Sequence, residues 1–340
     1  YAAVMRRPLT ALLTLALTLT LAPAQDDLRA LAARYQDALD HERWEQVIQT
    51  GERLMQARPD LATVPYNLAC AHAQLGDPDA AFRWLTTAVD NGYAGLASIQ
   101  SDPDLDPLRA DPRFEPLLAR VQAARDQRFE AFTTMAREAE MIVVVPDTLP
   151  ADEPAPLIVA LHGHGGRAED FVEVYREAAA RIGAVLVVPS AIRPAGNGGQ
   201  SWTFRDEAEW MVFYAIERAS KVHAIDPARV VLTGFSMGAN TTLEVGLKHP
   251  DRFVGLIPVC GHWDEGVMRL GESDRRPRVA LMIGARDPWA KTFRRAHEAL
   301  GEAGIRSRLR VYQGVGHGYP ADATGELVEA FAFVLGEDRP

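Results

Sequence analysis

Cysteine is nearly absent from this sequence: 340 residues contain only Cys70 and Cys260. No C-x-x-C pair occurs, which excludes a thioredoxin-type redox motif and a cysteine-built zinc site. The two fall in what read below as separate domains, so two buried thiols are a better reading than a disulfide. Basic runs are missing as well. The formal net charge of −10 opposes non-specific binding to nucleic acid or anionic lipid, and no Lys/Arg-rich stretch offers a phosphate-binding patch. An apolar run long enough to span a bilayer, about 20 residues, is also lacking, because the stretch 9–21 falls short of it. The remainder is ordinary globular material, 47% hydrophobic and 24% charged, in a chain long enough for two domains or one large one.

Near the N-terminus, Arg6 and Arg7 precede an unbroken stretch of Leu, Ala and Thr over 9–21, and Ala22-Pro23-Ala24 then supplies a small-x-small cleavage pattern. This is the layout of a secretory signal peptide over 1–24, with a mature chain starting near Gln25 and a secreted or periplasmic destination. No membrane span is expected after cleavage.

Residues 25–125 read as helical, with internal similarity at a spacing of 34. Val47, Gly51 and Leu54 are followed 34 residues later by Ala81, Leu85 and Ala88, and Tyr35 by Ala69. The second unit continues through Leu75-Gly76-Asp77. This spacing resembles the tetratricopeptide repeat, in which paired helices approach through small residues; the resemblance implies a surface that holds a segment of a partner protein. A capping helix is expected over 113–125 and a linker helix over 126–140. Asp102, Asp104 and Asp106 alternate as in a calcium loop, but Pro107 stands where that loop requires glycine and Arg113 where it requires glutamate. Asp-Pro steps capping short helices explain them better.

From residue 141 the pattern changes. Short apolar runs at 141–145, 157–161, 184–188, 229–232, 253–259, 279–283 and 308–312 alternate with amphipathic stretches such as 168–182, 207–223 and 239–248. Alternation of this kind predicts an α/β domain over 141–340, a mostly parallel sheet with helices on both faces.

The chemistry concentrates in three places. Gly234-Phe235-Ser236-Met237-Gly238 follows a predicted strand and precedes a predicted helix, the setting in which a tight turn forces a serine oxygen outward as a nucleophile. A serine needs a base and the base an orienting acid, in the chain order Ser, acid, His. Asp287 lies just past the next-to-last strand and His317, in Gly316-His317-Gly318, just past the last. Asp264 also follows a strand end and is the alternative acid. His262 precedes the acid, His249 ends a helix, His297 lies on a helix and His72 lies inside a repeat. The third place is Leu161-His162-Gly163-His164-Gly165-Gly166, whose glycines suit backbone N–H groups aimed at an oxyanion. The N–H groups of Met237 and His164 are the expected donors. A metal pair at His162 and His164 is the rival reading, and no third ligand stands nearby in sequence. Trp202, Phe235, Trp263 and Trp289 are candidates for the substrate pocket, each with plain core packing as the alternative.

Taken together, the HGxGG loop, Ser201-Trp202, GFSMG and the run from Gly316 to Pro320 resemble the α/β-hydrolase superfamily, and within it the compact esterases related to polyhydroxybutyrate depolymerases, feruloyl esterases and small carboxylesterases. The resemblance implies a serine esterase acting on a small-molecule ester, with no cofactor and no metal. Such esterases often carry tryptophan where Tyr319 stands, so substrate identity does not carry over. A peptidase on the same fold and a repeat-based binding protein with an inert hydrolase domain are the rivals.

Overall fold

The computed structural model describes residues 22–147, 149, 153–196, 198–263, 270–271 and 273–337. Most of the predicted signal peptide, and the alternative acid Asp264, lie outside the described residues. Among those described, no helix is long and apolar enough to cross a membrane. The chain divides into two compact units between Ala131 and Phe132.

The first unit is helical: α1 (Ala22–Asp40), α2 (Trp44–Ala57), α3 (Thr63–Gln74), α4 (Pro78–Asp90), α5 (Leu96–Ser101), a 3₁₀ turn (Pro103–Leu108) and the start of α6 (Phe114–Glu138). The spacing of 34 has a physical counterpart, since α2 and α4 begin at Trp44 and Pro78 and both bury the matched positions: Val47, Gly51 and Leu54 on one, Ala81, Leu85 and Ala88 on the other. Gly51 lies so close to Leu68 and Tyr35 that a Cβ there would sit 2.8 Å from Leu68 Cδ2, which is why a small residue falls at that crossing. Asp77 caps α4 by accepting from the Ala80 N–H at 3.0 Å, with Pro78 at the first helical position. Asp102 caps the 3₁₀ turn in the same way through the Asp104 N–H, also at 3.0 Å. The cap over 113–125 and the linker helix over 126–140 form one continuous helix, α6, because the stretch 114–138 contains no glycine and only one proline, in its first turn.

The second unit contains a seven-stranded sheet. Its strands are β1 (Met141–Val144), β2 (Ala155–Leu161), β3 (Val185–Pro189), β6 (Ile225–Phe235), β7 (Gly255–Val259), β8 (Arg278–Gly284) and β9 (Ser307–Tyr312), in the order β1-β3-β2-β6-β7-β8-β9. Only β1 runs antiparallel to its neighbour. The helices are α7 (Ala168–Arg181), α8 (Arg205–Val222), α9 (Met237–Lys248), α10 (Ala290–Glu302) and α11 (Ala323–Leu335). α7 packs on α11, and α8 on α9. Adjacent residues of β7 show that the pairs lie on opposite faces: Gly255 abuts Val334 of α11, whereas Leu256 abuts Gly246 of α9. This is the mostly parallel, doubly covered sheet expected of the α/β-hydrolase architecture. Strands β2, β3 and β7 are buried along their whole length, which explains their continuous apolar runs. A two-stranded hairpin, β4 (Arg193–Pro194) with β5 (Gln200–Ser201), is too short to leave a periodic signal. It is tied to α8 by Arg193, which donates to both oxygens of the buried Glu207 at 2.8 and 2.5 Å.

Candidate active site

Parallel strands end at one edge of a sheet, and the predicted site residues gather there. Ser236 is the single residue between β6 and α9. Its backbone has φ 54° and ψ −115°, a conformation that a non-glycine residue holds only when its surroundings impose it. Here the neighbouring glycines supply them. A Cβ on Gly238 would lie 2.3 Å from the Leu161 carbonyl oxygen, and one on Gly234 would lie 2.5 Å from the Gly238 carbonyl, so the turn closes only with glycine at both places.

Ser236, His317 and Asp287 form one hydrogen-bonded row. His317 Nε2 lies 2.9 Å from Ser236 Oγ, and His317 Nδ1 lies 2.7 Å from Asp287 Oδ2. A carboxylate only accepts, so Nδ1 carries the proton and Nε2 accepts from the serine hydroxyl. Asp287 is buried, and its other oxygen accepts the Trp289 N–H at 2.8 Å. His317, the middle member of the row, is exposed. Cys260, at the end of β7 with φ 54°, places its thiol 3.4 Å from the Gly318 carbonyl and beside Asp287; burial pushes that thiol up to about 11, so it stays protonated. Cys260, Asp287 and His317 offer ligand atoms within 4.8 Å of one another, but the acid and the imidazole already bond to each other.

The loop after β2 runs against the nucleophile: a Cβ on Gly163 would lie 3.5 Å from Ser236 Cβ. His162 is fully buried, and both of its ring nitrogens are occupied. Nε2 accepts the Ala191 N–H at 3.0 Å, which leaves the proton on Nδ1 to be donated to the Gly163 carbonyl at 2.7 Å. That arrangement removes the metal-pair reading of His162 and His164. Burial holds the His162 imidazole below its ordinary value of 6.5, opposed by its bond to the Gly163 carbonyl and aided by the nearby His164. The Gly163 carbonyl also accepts the Gly166 N–H at 3.1 Å. Because C=O and N–H point opposite ways across a trans peptide, fixing this carbonyl fixes the direction of the His164 N–H. As the first residue of α9, Met237 has no carbonyl within the helix for its own N–H.

The hairpin supports this loop. Gly165 N–H donates to Gln200 O at 2.8 Å, and Gln200 N–H returns a bond to Gly166 O at 3.0 Å. Buried Ser201 touches both His164 Nδ1, at 3.1 Å, and Met237 Sδ, at 3.4 Å. The four candidate pocket aromatics separate. Trp202 is buried, its indole N–H donating to His162 O at 2.8 Å, so it braces the loop after β2. Trp263 is buried too. Phe235 lies between the rings of His317 and Tyr319, with centroids 5.0 and 5.4 Å away. Trp289 is exposed and meets His262 edge-on at 4.5 Å. Sequence reasoning missed Ser201 and His162 as supports; the only signal for them was their place inside the two motifs.

No family model matches the chain. It is 29% identical over 138 residues to poly(3-hydroxyalkanoate) depolymerase C of Paucimonas lemoignei, a match covering 38% of this chain and 33% of that protein. It is 28% identical over 221 residues to NocK of Nocardia uniformis subsp. tsuyamanensis, which carries the name of an esterase, covering 61% of this chain and 62% of that one. The chain thus spans about a third of the first relative's length and just under two thirds of the second's. Among solved structures, esterase PE8 is 22% identical and superposes with a TM-score of 0.45, covering 58% of this chain and 97% of that one.

Proposed function

We propose that this chain is a serine hydrolase that cleaves carboxylic esters through an acyl-enzyme. Ser236 attacks the ester carbonyl while His317 takes its proton; Asp287 holds the imidazole tautomer and stabilises its positive charge. The tetrahedral oxyanion is received by the N–H groups of Met237 and His164. His317 then gives its proton to the leaving alcohol, and water repeats the sequence to release the acid. The observation that carries this reading is the Ser236–His317–Asp287 row, with contacts of 2.9 and 2.7 Å, on a turn strained to φ 54°. The names of the two relatives, a depolymerase of a polyester and an esterase, favour an ester over an amide. A fluorophosphonate probe and a panel of esters from acetyl to long-chain to aromatic, with amides included, form the test. Labelling at Ser236 with ester turnover supports the reading. An unlabelled, inert protein overturns it, and amide cleavage at comparable rates would make it a peptidase.

The same proposal extends to export directed by 1–24, checked by whether the protein recovered outside the cytoplasm begins near Gln25. It also gives the helical unit, as a tetratricopeptide-like module, the task of holding a partner protein's segment. Deleting 25–113 leaves α6 whole. Unchanged kcat/KM on a small ester would support an adaptor, and a large loss would assign the unit to the enzyme's own fold.

A further inference from the structure

The loop that carries His317 is poor in side chains that could pin it to the sheet. Gly314 has φ 78°, and a Cβ on Gly314, Gly316 or Gly318 would meet nothing within 4 Å, so no side chain anchors these positions, and the backbone is held by the Arg286 N–H on the Val315 carbonyl at 2.9 Å and the Cys260 thiol on the Gly318 carbonyl at 3.4 Å. Three glycines in five residues leave a segment with large conformational freedom, which must be restrained from outside if Nε2 is to stay 2.9 Å from Ser236 Oγ. A side-chain restraint comes two residues later, at Tyr319.

Tyr319 Oη lies 3.0 Å from Tyr175 Oη, and Tyr175 Oη lies 2.9 Å from Thr233 Oγ1. Thr233 donates to the Ile257 carbonyl at 2.7 Å. A carbonyl only accepts, and each hydroxyl has one proton, so the direction of every bond follows. Thr233 spends its proton on Ile257 and must accept from Tyr175. Tyr175 spends its proton on Thr233 and must accept from Tyr319. The bonds therefore all point one way, from the loop into the sheet, and each polarises the next. Tyr175 and Thr233 are fully buried, so no water substitutes for a missing member. Burial pushes the Tyr175 phenol up to about 12 and raises that of Tyr319 as well, which keeps both protonated. Thr233 stands on β6, three residues before Ser236, and is paired with Ile257 on β7. The Tyr319 ring also stacks on Phe235 at 5.4 Å and 26°, and Phe235 in turn meets the His317 ring at 5.0 Å.

We infer that Tyr319 is a positioning residue for the reaction: its hydroxyl chain to Thr233 and its stack on Phe235 hold the His317 loop in register with the strand that presents Ser236. The inference rests on the reading of His317 as the base. It also gives the tyrosine at this position a specific role, because an indole has no hydroxyl with which to reach Tyr175.

The test compares Tyr319→Phe with the wild type well below either melting temperature. Phe keeps the ring stack and removes the first bond. The expected result is a fall in kcat of roughly tenfold with KM within twofold, since misplacement of under 1 Å at a reacting group costs turnover rather than ground-state binding. The rate of fluorophosphonate labelling at Ser236 should fall by the same factor. A lower melting temperature with kcat and labelling within twofold of wild type would overturn the inference, because that is what a merely structural tyrosine does. A wild type that neither turns over esters nor labels would instead overturn the esterase reading. If Tyr319→Phe is insoluble, Thr233→Val cuts the chain at its other end with nearly the same shape. Its kcat should fall at least fivefold while Thr233→Ser, which keeps the hydroxyl, stays near wild type; unchanged turnover in Thr233→Val would overturn the inference.

Discussion

Each unit of this protein buries one cysteine beside carboxylate, and the two clusters differ in what they connect to. In the helical unit Cys70, Asp102 and Asp104 come within 4.8 Å of one another. Asp102 accepts the Tyr66 hydroxyl at 2.6 Å and the Asp104 N–H at 3.0 Å, while Asp104 Oδ2 has no partner among the described residues. Desolvation, then the neighbouring Asp102 charge, push the Asp104 carboxyl up to about 7. In the α/β unit Cys260, Asp287 and His317 are equally close, but both oxygens of Asp287 are occupied and the imidazole leads outward to a serine. The buried acid is common to both. What sets the second apart is a titratable imidazole bridging the acid to a serine near the surface; no such bridge joins the first cluster to a nucleophile among the described residues, and its Asp104 works against stability.

The largest expected effect lies at Ser236, the outer end of the second cluster. Ser236→Ala should abolish turnover, a loss on the order of 10⁶-fold in kcat, while leaving the fold intact; a loss of only a few-fold would remove Ser236 from the mechanism. Next comes the acid. Asp287→Asn should fold normally and lose about 10⁴-fold in kcat, because an amide N–H facing Nδ1 selects the wrong tautomer. The loss appearing in Asp264→Asn instead would move the acid to that residue.

Smaller effects concern stability. His162 is held neutral in the fold, so the unfolded chain binds a proton that the native state does not. Native stability is therefore complete above about pH 6.5, the ordinary imidazole value, and is lost as pH falls below it. The melting temperature should drop between pH 7 and pH 5, and His162→Gln should flatten that slope while lowering the pH 7 value. Asp104 has the opposite sign. Its folded value is raised, so the native state keeps a proton longer than the unfolded chain, and stability falls as pH rises toward and through about 7. Asp104→Asn should raise the melting temperature of the helical unit at pH 8 more than at pH 5. An equal effect at both pH values would mean that charge at Asp104 is not what destabilises the first cluster.

Much of this was legible in the residues themselves. The alternation from 141 onward reports a doubly covered sheet because buried parallel strands leave continuous apolar runs. The order Ser236, Asp287, His317 follows from strands that end at one edge. Less was legible where support comes from contacts without periodicity. The β4–β5 hairpin is two residues on each side, and its function depends on Gly199 lying against the Gly165 carbonyl, which no local pattern announces. Trp202 reads as a pocket wall by type, yet its indole N–H is spent on His162 O. His162 reads as half of a metal pair until both ring nitrogens are seen to face backbone. The joint between cap and linker helix near 125 does not exist as a break, because no residue there stops a helix.

One consequence of the site's assembly concerns the time course of folding. Ser236 and His317 are 81 residues apart, and the loop that carries His162 precedes Ser236 by a span that holds α7, β3, the β4–β5 hairpin, α8 and β6. Contacts of such separation are entropically costly to close and form after local helices and neighbouring strand pairs. The row Ser236–His317–Asp287 exists only once β9 has docked on β8 at the far side of the sheet, and a chain that has folded only as far as β7 has its serine turn but no base. Regained activity is then a late clock. In a refolding experiment the far-ultraviolet signal of the helices should recover before ester turnover does, and the interval between them measures how long the sheet takes to close its last edge.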